Sequence, residues 1–439
     1  MARLFGTDGV RGVANADLTP DLALALGRAA GVVLGGGRVV LGRDTRVSGP
    51  MLAGALTAGL CSAGCDVLDA GIVPTPAVAL LTVAKKAAGG AVISASHNPV
   101  EDNGIKFFSS EGVKLPAERE LTIEEAMAAE SERPVGVDVG WRFDLEDAGA
   151  HYVEHLLGTV EEPLNGLRVV LDCAHGAAWA VAPEAFRAAG ADVIAIHDTP
   201  DGSRINVDCG STSLGEVAHV VTRENAHFGL AFDGDADRVL AVDELGAEVD
   251  GDRIIGLIGL GLMDGGKLDK NLIVGTVMSN LGFIKALEKR GIDFIAAPVG
   301  DKHVAEAMVQ NGAILGGEQS GHVIFGNLAT TGDGVLTGLQ LAAAVRRSGS
   351  VVSELAHFFK PYPQVLLNVR VEGKDRLDDA SALWDEIAGA EAELGGEGRV
   401  LVRASGTESL VRVMVEAADA HMARATAERL AEAVRTHLS

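Results

Sequence analysis

A serine in a polar loop is the first candidate for chemistry in this chain. Residues 91–93 form an apolar run that leads directly into residues 94–99, Ser-Ala-Ser-His-Asn-Pro. This pattern predicts a strand followed by a turn, because Ser and Asn bond their own backbone and Pro fixes φ. Reactive side chains in an α/β sheet emerge beyond the carboxyl ends of parallel strands. Ser96 is therefore a candidate phosphate carrier, although an ordinary surface turn has the same composition.

An acidic loop supplies a candidate metal site. Asp233, Asp235 and Asp237 alternate between two apolar runs, and such a cluster repels itself unless a cation joins it. Oxygen-only ligands select Mg²⁺ or Ca²⁺ over Zn²⁺. A calcium EF-hand would use Glu244 at the twelfth position, but Arg238 stands where that loop requires glycine, and the flanks are strand-like. A divalent-cation site is favoured over a solvated acidic turn.

Two further loops place polar groups beside glycines. Residues 316–322, Gly-Gly-Glu-Gln-Ser-Gly-His, contain Glu318, Ser320 and His322, whose donors and acceptors suit sugar hydroxyls. A glycine-rich turn is equally a structural device. Residues 403–408, Arg-Ala-Ser-Gly-Thr-Glu, combine an arginine, two hydroxyls and backbone amides in a nest for phosphate, unless they form only a hairpin turn. Together the four loops suit a reaction on a phosphosugar.

Repeated strand–helix–strand patterns must position these loops. A strand, a helix, a glycine stop, an aspartate and a strand recur in residues 38–68, 167–194 and 271–295. Each copy predicts a βαβ unit with parallel pairing. We predict an α/β fold with mixed, largely parallel sheets in three tandem related α/β domains and a smaller C-terminal α+β domain, around a central cleft. The predicted domains are residues 1–150, 151–250, 251–365 and 366–439, which carry in turn the Ser96 loop, the acidic loop, the loop of residues 316–322 and the loop of residues 403–408.

Charge and composition exclude several classes of protein. Among 439 residues, 61 Asp and Glu exceed 37 Lys and Arg, giving a formal charge of −24. This balance argues against nucleic acid or an anionic membrane as a partner. Four cysteines without metal-type spacing predict free thiols in a reducing compartment, and neither a signal peptide nor a membrane helix is apparent. We expect a cytoplasmic protein with a small-molecule partner.

The four loops, together with residues 5–12 (Phe-Gly-Thr-Asp-Gly-Val-Arg-Gly), resemble the bacterial phosphoglucosamine mutases of the α-D-phosphohexomutase superfamily. The motifs occur in the same order and cover the whole chain. The glucosamine branch is indicated by residues 5–12 and by Gln319, where mannose- and glucose-specific relatives often carry Met. Ala404 and Ser409 stand where prolines are common, and residues 300–303 depart from Gly-Asp-Arg-Tyr, so His303 is not assigned a role.

The resemblance implies an intramolecular phosphotransferase of the isomerase class. It would interconvert glucosamine 6-phosphate and glucosamine 1-phosphate through glucosamine 1,6-bisphosphate, supplying UDP-N-acetylglucosamine and cell-wall synthesis. Ser96 would be carried as phosphoserine, with one Mg²⁺ on Asp233, Asp235, Asp237 and the Ser96 phosphate. Glucose or glucosamine 1,6-bisphosphate would be the activator, and a homodimer is compatible with the resemblance.

The resemblance also assigns the remaining site residues. For catalysis they are Arg11, His97, Lys106 and His322, with Lys106 and His322 as candidates for acid and base. For substrate binding they are Glu318, Ser320, Arg238, Arg403, Ser405, Gly406 and Thr407. A phosphomannomutase or phosphoglucomutase would share all catalytic residues, whereas a phosphate- or cation-binding protein without catalysis, or a simple sugar phosphatase, would retain no covalent phosphate.

Overall fold

The computed structural model describes residues 3–6, 8–129, 132–405 and 410–438. The chain divides into two compact units, one made of Met1–Thr276 with Ala297–Ala356 and the other of Val277–Ala296 with His357–Ser439. The predicted boundaries near residues 150, 250 and 366 are finer than this division and stay predictions. None of the helices in the described part of the chain combines the length and apolarity that crossing a membrane requires.

The first sheet of the larger unit carries the loop with Ser96. In spatial order its strands are β1 (Val10–Val13), β5 (Asp102–Ser109), β4 (Gly89–Ile93), β2 (Gly37–Arg43), β3 (Cys65–Ile72) and β6 (Arg142–Asp144). Strand β2 is parallel to β3 and β4, whereas β5 is antiparallel to β4 and β1. Helix α2 (Gly49–Ser62) connects β2 to β3, so the first predicted βαβ unit is confirmed.

Helix α1 (Pro20–Leu34) and α2 cover one face of this sheet. Helix α1 begins after Thr19, whose hydroxyl accepts a hydrogen bond from the Leu22 N–H at 3.2 Å, and ends at Gly35 in the left-handed conformation. The apolar core of this region joins residues of both helices to the sheet, among them Leu26, Leu52, Val39 and Ile93. Strand β4 is buried along its whole length, which is why its sequence is an uninterrupted apolar run.

The second sheet carries the acidic loop. Its order is β11 (Glu248–Val249), β10 (Val239–Asp243), β9 (Phe228–Phe232), β7 (Arg168–Asp172) and β8 (Asp192–Ile196). Helix α6 (Val181–Ala188) connects the parallel strands β7 and β8, which confirms the second βαβ unit. Strands β9 and β10 are antiparallel. Residues 233–238 therefore form the connection of a hairpin, and their ends are fixed by the ladder on both sides.

A third set of strands carries the glycine-rich loop. Strand β12 (Leu272–Thr276) is parallel to β14 (Leu315–Gly317), and β14 is antiparallel to β15 (Val323–Phe325). Residues 318–322 close this second hairpin. The other helices of the larger unit are α3 (Thr75–Ala84), α4 (Ala117–Ala128), α5 (Ala148–Gly158), α7 (Gly215–Glu224), α8 (Gly251–Asp264), α10 (Asp301–Asn311), α11 (Gly334–Ser348) and α12 (Val352–Ala356).

The C-terminal region forms an antiparallel sheet with helices, as predicted. The sheet order is β16 (Gln364–Arg370), β18 (Leu410–Ala417) and β17 (Gly398–Ala404), and the helices are α13 (Ser381–Leu394) and α14 (Ala420–Leu438). Helix α9 (Leu281–Lys289) and β13 (Asp293–Ala297) form where the third repeated pattern predicts a helix and a strand. Short 3₁₀ segments occur at Gly136–Asp138, Gly210–Thr212, Asp269–Asn271, Lys374–Arg376 and Gly395–Glu397.

Candidate functional site

The hydroxyl of Ser96 points at the acidic loop. Strand β4 ends at Ile93, and the chain turns so that Ser96 has a φ of 53° and is only 2% exposed. Its Oγ donates a hydrogen bond to Asp233 Oδ2 at 2.5 Å and lies 3.2 Å from His97 Nδ1. The Ser96 N–H donates to Ser94 Oγ at 2.9 Å. The structure thus brings the serine and the acidic loop, 137 residues apart in the chain, into direct contact.

The three aspartates of the acidic loop form a buried cluster of oxygen ligands. Asp233, Asp235 and Asp237 each offer a carboxylate oxygen within 4.8 Å of the others, and all three residues are buried. Oδ1 of Asp235 and Oδ1 of Asp237 are buried without a hydrogen-bond partner among the described residues. Unpartnered buried oxygens are costly unless a cation binds them. Their chemistry fits a hard divalent cation such as Mg²⁺.

The environment of the acidic loop shifts the pKa values of Asp233 and Asp237 in opposite directions. Burial, followed by the Asp237 and Asp235 carboxylates, raises the pKa of Asp233 well above its ordinary value. Burial alone would also raise the pKa of Asp237, but the Lys106 ammonium and His322 bring that pKa well below its ordinary value. A bound cation would remove the repulsion that keeps the pKa of Asp233 high.

Lys106 lies inside this cluster of carboxylates. Its Nζ is 2.7 Å from Asp235 Oδ2, 3.4 Å from Asp237 Oδ2 and 3.8 Å from Asp8 Oδ2, and its side chain is 3% exposed. Burial opposes the charge, but the three carboxylates raise the pKa of Lys106 above its ordinary value. The lysine is therefore a fixed positive charge at neutral pH that holds its proton tightly.

His322 lies at the end of the glycine-rich hairpin, between two acidic groups. Its Nε2 accepts a hydrogen bond from the Gly332 N–H at 3.1 Å, and its Nδ1 lies 3.7 Å from Asp237 Oδ1. Asp301 Oδ2 is 3.6 Å from Nε2. Burial would lower the pKa of His322, but Asp237 and then Asp301 raise it. The proton of the neutral ring is held at Nδ1, on the side of the acidic loop.

The loop of residues 318–322 lies beside the acidic loop, and its side chains differ in how far they are buried. The Val239 N–H, directly after the acidic loop, donates to Gly321 O at 3.1 Å. The φ of Gly321 is 89°, and a Cβ there would approach Val239 O to 2.2 Å, so only glycine fits this close approach. Glu318 Oε1 accepts from the Gly300 N–H at 3.0 Å, whereas Ser320 is exposed.

The remaining predicted residues of the larger unit surround Ser96 and the acidic loop. Arg11 Nη1 donates to Asn98 Oδ1 at 3.0 Å. Burial, followed by Arg238 and Arg11, lowers the pKa of His97, so this ring is neutral. The Arg238 N–H donates to Asp233 Oδ1 at 3.1 Å, and Asp237, Asp233 and Glu318 outweigh burial to raise the pKa of Arg238.

Glu244 does not belong to the acidic cluster. Its carboxylate accepts hydrogen bonds from the backbone N–H of Ser353, at 3.2 Å, and from the hydroxyl of the same residue. The EF-hand alternative would need this carboxylate on the cation. Because the Glu244 carboxylate is bonded to Ser353 in α12, the structure does not support an EF-hand in this loop.

Some residues of the site were not found from the sequence. Thr75 Oγ1 donates to Asp235 Oδ2 at 2.5 Å, and no local pattern marks it. Asp8 pairs with Arg11 and accepts from Lys114 Nζ, which also pairs with Asp301. Asp8 lies inside the Gly-Thr-Asp-Gly motif of residues 6–9, which was a usable signal. Lys114 extends the network of charges from the acidic centre to α10.

The phosphate loop belongs to the other unit. Arg403 and Arg412 are directly opposite each other on the antiparallel strands β17 and β18, and burial together with Arg412 lowers the pKa of Arg403. Lys374 Nζ donates to Ser405 O at 3.0 Å. Like charges facing each other are unfavourable unless an anion joins them, which fits the predicted phosphate nest. The predicted ligands Gly406 and Thr407 lie outside the described residues.

A second group of potential metal ligands lies in the second sheet. Asp172, His197 and Cys209 offer atoms within 4.8 Å of one another. Asp172 Oδ1 accepts from the Ala174 N–H at 2.9 Å, and Oδ2 accepts from the Gly210 N–H at 2.9 Å. His197 Nδ1 is also 2.9 Å from Asp172 Oδ1. The carboxylate is thus fully used within the protein.

Comparison with known proteins identifies the family. Models of the family described as phosphoglucomutase/phosphomannomutase match alpha/beta/alpha domain I at residues 2–134, domain II at 150–246, domain III at 250–362 and the C-terminal domain at 366–433. A phosphoglucosamine mutase of Carboxydothermus hydrogenoformans is 54% identical over 429 residues, covering 96% of this chain and 97% of that protein. The chain belongs to the phosphoglucomutase/phosphomannomutase family. The predicted superfamily and enzyme class are confirmed.

A further relative and two solved structures are similar to this chain over nearly its whole length. A phosphoglucosamine mutase of Salinispora tropica is 52% identical, covering 99% of both chains. A solved phosphoglucomutase/phosphomannomutase family protein of Burkholderia thailandensis has a TM-score of 0.84 at 25% identity, covering 99% of this chain and 97% of that one. An Aspergillus fumigatus N-acetylphosphoglucosamine mutase, solved in complex with GlcNAc-6P and magnesium, shares the fold with a TM-score of 0.73 at 20% identity, covering 99% and 96%.

Proposed function

We propose that this chain interconverts glucosamine 6-phosphate and glucosamine 1-phosphate, with phosphoserine at Ser96 as the phosphoryl carrier. The observation that carries the proposal is the hydrogen bond from Ser96 Oγ to Asp233, in a loop where Asp235 and Asp237 each keep a buried oxygen with no hydrogen bond from any described residue. The choice of sugar is supported by the relatives at 54% and 52% identity, which are named phosphoglucosamine mutases.

The reaction consists of two phosphoryl transfers in opposite directions. In the first, the C1 hydroxyl of glucosamine 6-phosphate forms a bond to phosphorus while the Ser96 Oγ–P bond breaks. The hydroxyl proton leaves to a base, and Ser96 Oγ becomes protonated. In the second, Ser96 Oγ gives up its proton to a base and bonds to the C6 phosphorus while the C6 O–P bond breaks, and the C6 oxygen takes up a proton. The net change is an isomerisation, and the phosphoserine is restored.

Charge neutralisation and alignment are the main requirements of phosphoryl transfer. Asp233, Asp235 and Asp237, with the Ser96 phosphate, would hold Mg²⁺, which when bound would offset the negative charge of the transferring group. Lys106 adds a fixed positive charge at the same carboxylates. Of the two predicted acid–base residues, Lys106 holds its proton tightly and would act mainly through its charge, and His322 would exchange a proton through Nδ1.

The bisphosphate must turn around between the two transfers, so its distal phosphate needs one site that serves both orientations. Arg403, Ser405, Gly406 and Thr407 are the proposed ligands, and Arg412 joins them because it faces Arg403 across the strands. Glu318 and Ser320 would bind sugar hydroxyls in either orientation. Activation by glucose 1,6-bisphosphate, a homodimeric state and a cytoplasmic location belong to the same proposal.

The test combines intact mass, peptide mapping and turnover. Purified protein is incubated with glucose 1,6-bisphosphate, and one phosphate is expected on Ser96, which glucosamine 6-phosphate then discharges in the presence of Mg²⁺. Turnover of glucosamine, mannose and glucose phosphates is compared in parallel. Preference for mannose or glucose phosphate would favour the related mutases. A protein that never carries phosphate on Ser96 would fit a binding protein or a simple sugar phosphatase, and the proposal would fail.

A further inference from the structure

The backbone of Ser96 is held by side chains from two other segments of the larger unit. Its left-handed conformation, with φ at 53°, is one that serine adopts rarely. The N–H donates to Ser94 Oγ at 2.9 Å, and Ser94 Oγ donates to Asp44 Oδ2 at 2.6 Å. The carbonyl oxygen of Ser96 accepts from Arg46 Nη2 at 3.0 Å and from Asn206 Nδ2 at 2.9 Å. Both polar groups of this peptide are therefore fixed.

Arg46 binds the backbone carbonyls of the Ser96 loop through its guanidinium. It is fully buried, and its Nε donates to Asp44 Oδ2 at 3.0 Å. The two terminal nitrogens donate to four carbonyl oxygens of the Ser96 loop, those of Ser96, Asn98, Pro99 and Asp102. The five N–H groups of the guanidinium thus match five acceptors. This arginine is a scaffold for the loop, and its removal would leave buried acceptors unsatisfied.

Asn206 reaches the same loop from the segment after β8. Its Nδ2 donates to Ser96 O at 2.9 Å and lies 3.3 Å from Asn98 O, the two carbonyls that Arg46 also contacts. A Cβ on Gly234 would lie 2.5 Å from Ser96 O and 3.1 Å from Asn206 Nδ2. The Ser96 carbonyl is therefore enclosed by Arg46, Asn206 and the backbone of the acidic loop, and Asn206 is the half-exposed member of the three.

We propose that Asn206 is a positioning residue for phosphoryl transfer: by donating to the Ser96 and Asn98 carbonyls it fixes the backbone of Ser96 and directs Oγ toward Asp233. This inference rests on the proposed function. In-line transfer depends on alignment of the reacting oxygen, and small displacements are costly. Asn206 touches no reacting atom, so its removal should slow transfer without weakening substrate binding.

The test variant is Asn206→Gly, because φ at Asn206 is 60° and glycine accepts this conformation without strain. The matched control is Asn225→Gly, another left-handed asparagine, with φ at 50°, at the C-terminal end of α7. We expect Asn206→Gly to lower kcat for glucosamine 6-phosphate about tenfold, equivalent to about 1.4 kcal/mol of barrier. KM should change less than about twofold, and the control should keep the wild-type kcat.

Thermal unfolding and amide hydrogen exchange of the peptide spanning residues 94–104 complete the experiment. The two variants should have similar Tm values, but only Asn206→Gly should speed exchange in this peptide. Unchanged kcat and exchange in Asn206→Gly would overturn the proposal, as would a loss of kcat that Asn225→Gly shares. If the wild-type enzyme transfers no phosphate, the proposed function fails separately, and the exchange measurement alone decides whether Asn206 holds the loop.

Discussion

Two clusters of potential metal ligands lie in the same unit and are alike in spacing, although one consists of three carboxylates and the other of a carboxylate, an imidazole and a thiol. The acidic loop and the group of Asp172, His197 and Cys209 each place their ligand atoms within 4.8 Å of one another, and Asp172 is as buried as Asp233. They differ in what the carboxylates contact. The oxygens of Asp172 accept from two backbone N–H groups, whereas Asp235 and Asp237 each keep one buried oxygen that has no hydrogen-bond partner in the part of the chain that the structure describes.

This difference separates a structural cluster from a chemical one. Burial and Asp172 raise the pKa of Cys209 to about 12, so its sulfur stays a thiol, and thiols bind metal poorly. Hydrogen bonds to Asp172 hold together the loop that follows β7 and the segment that follows β8. In the acidic loop, three carboxylates face one another with Lys106 as the nearby cation. Spacing alone therefore does not separate the two clusters, whereas the contacts of their carboxylates do.

The largest expected effect comes from replacing a ligand of the acidic loop. Asp235→Asn should lower kcat/KM for glucosamine 6-phosphate on the order of 10³-fold, because a metal ion contributes several kcal/mol to the transition state. The matched variant Asp172→Asn should change kcat/KM less than about threefold, since its carboxylate binds only backbone and His197. Steady-state kinetics of the two purified variants provide the comparison. Similar losses in both would show that the distinction between the clusters is wrong.

The free energy of unfolding, in contrast to kcat/KM, should be sensitive to substitution of Asp172. Asp172→Asn should lower the free energy of unfolding by about 2 kcal/mol, because charge-assisted hydrogen bonds are lost and an amide N–H₂ then faces backbone donors. Urea denaturation followed by circular dichroism measures the change. The control is Asp192→Asn, whose exposed ion pair with Arg168 should contribute less than about 0.5 kcal/mol. An equal cost at both positions would mean that the Asp172 carboxylate does not stabilise the loops.

Added Mg²⁺ should stabilise the wild-type protein through the acidic loop alone. At a concentration about ten times the Kd, a ligand that binds only the folded state adds about 1.4 kcal/mol. The resulting rise in Tm should persist in Asp172→Asn and disappear in Asp235→Asn. Scanning calorimetry with and without EDTA tests this, and the reverse pattern would place the cation at the Asp172 cluster.

The sequence predicted the elements of the site better than its internal contacts. Apolar runs and glycine stops located strands β4, β9 and β10, the loop that follows β4 and the loop that joins β9 to β10, because these signals are local. That Ser96 meets Asp233 followed from the resemblance, since no spacing rule joins residues 137 apart. The βαβ pattern predicted the parallel pairing of β7 and β8, which the structure confirms, but it did not extend to β9 and β10, whose antiparallel pairing makes the acidic loop a hairpin connection.

The supporting residues could not be predicted because their roles depend on long-range packing. Arg46 reads as an ordinary loop arginine, yet it is fully buried under the Ser96 loop. Asn206 and Thr75 have no local signature, and their partners lie 110 and 160 residues away. Glu244 shows the converse case: its position fits the twelfth place of an EF-hand, but Arg238 at the glycine position already argued against that loop, and the contact with Ser353 agrees.

The smallest expected effect is a pH dependence confined to the Asp172 cluster. The hydrogen bond with Asp172 raises the pKa of His197 above its ordinary value, with burial opposing the shift. The folded state therefore binds the His197 proton more tightly than the unfolded state, whose histidine titrates near about 6.5. The stabilisation is complete below that pH and is lost as pH rises through the raised pKa of His197. Unfolding of wild type and His197→Gln should differ most in acid and converge in mild base, and Asp172→Asn should flatten this dependence. A difference that grows with pH would contradict the ion pair, because it would mean that folding favours the neutral ring.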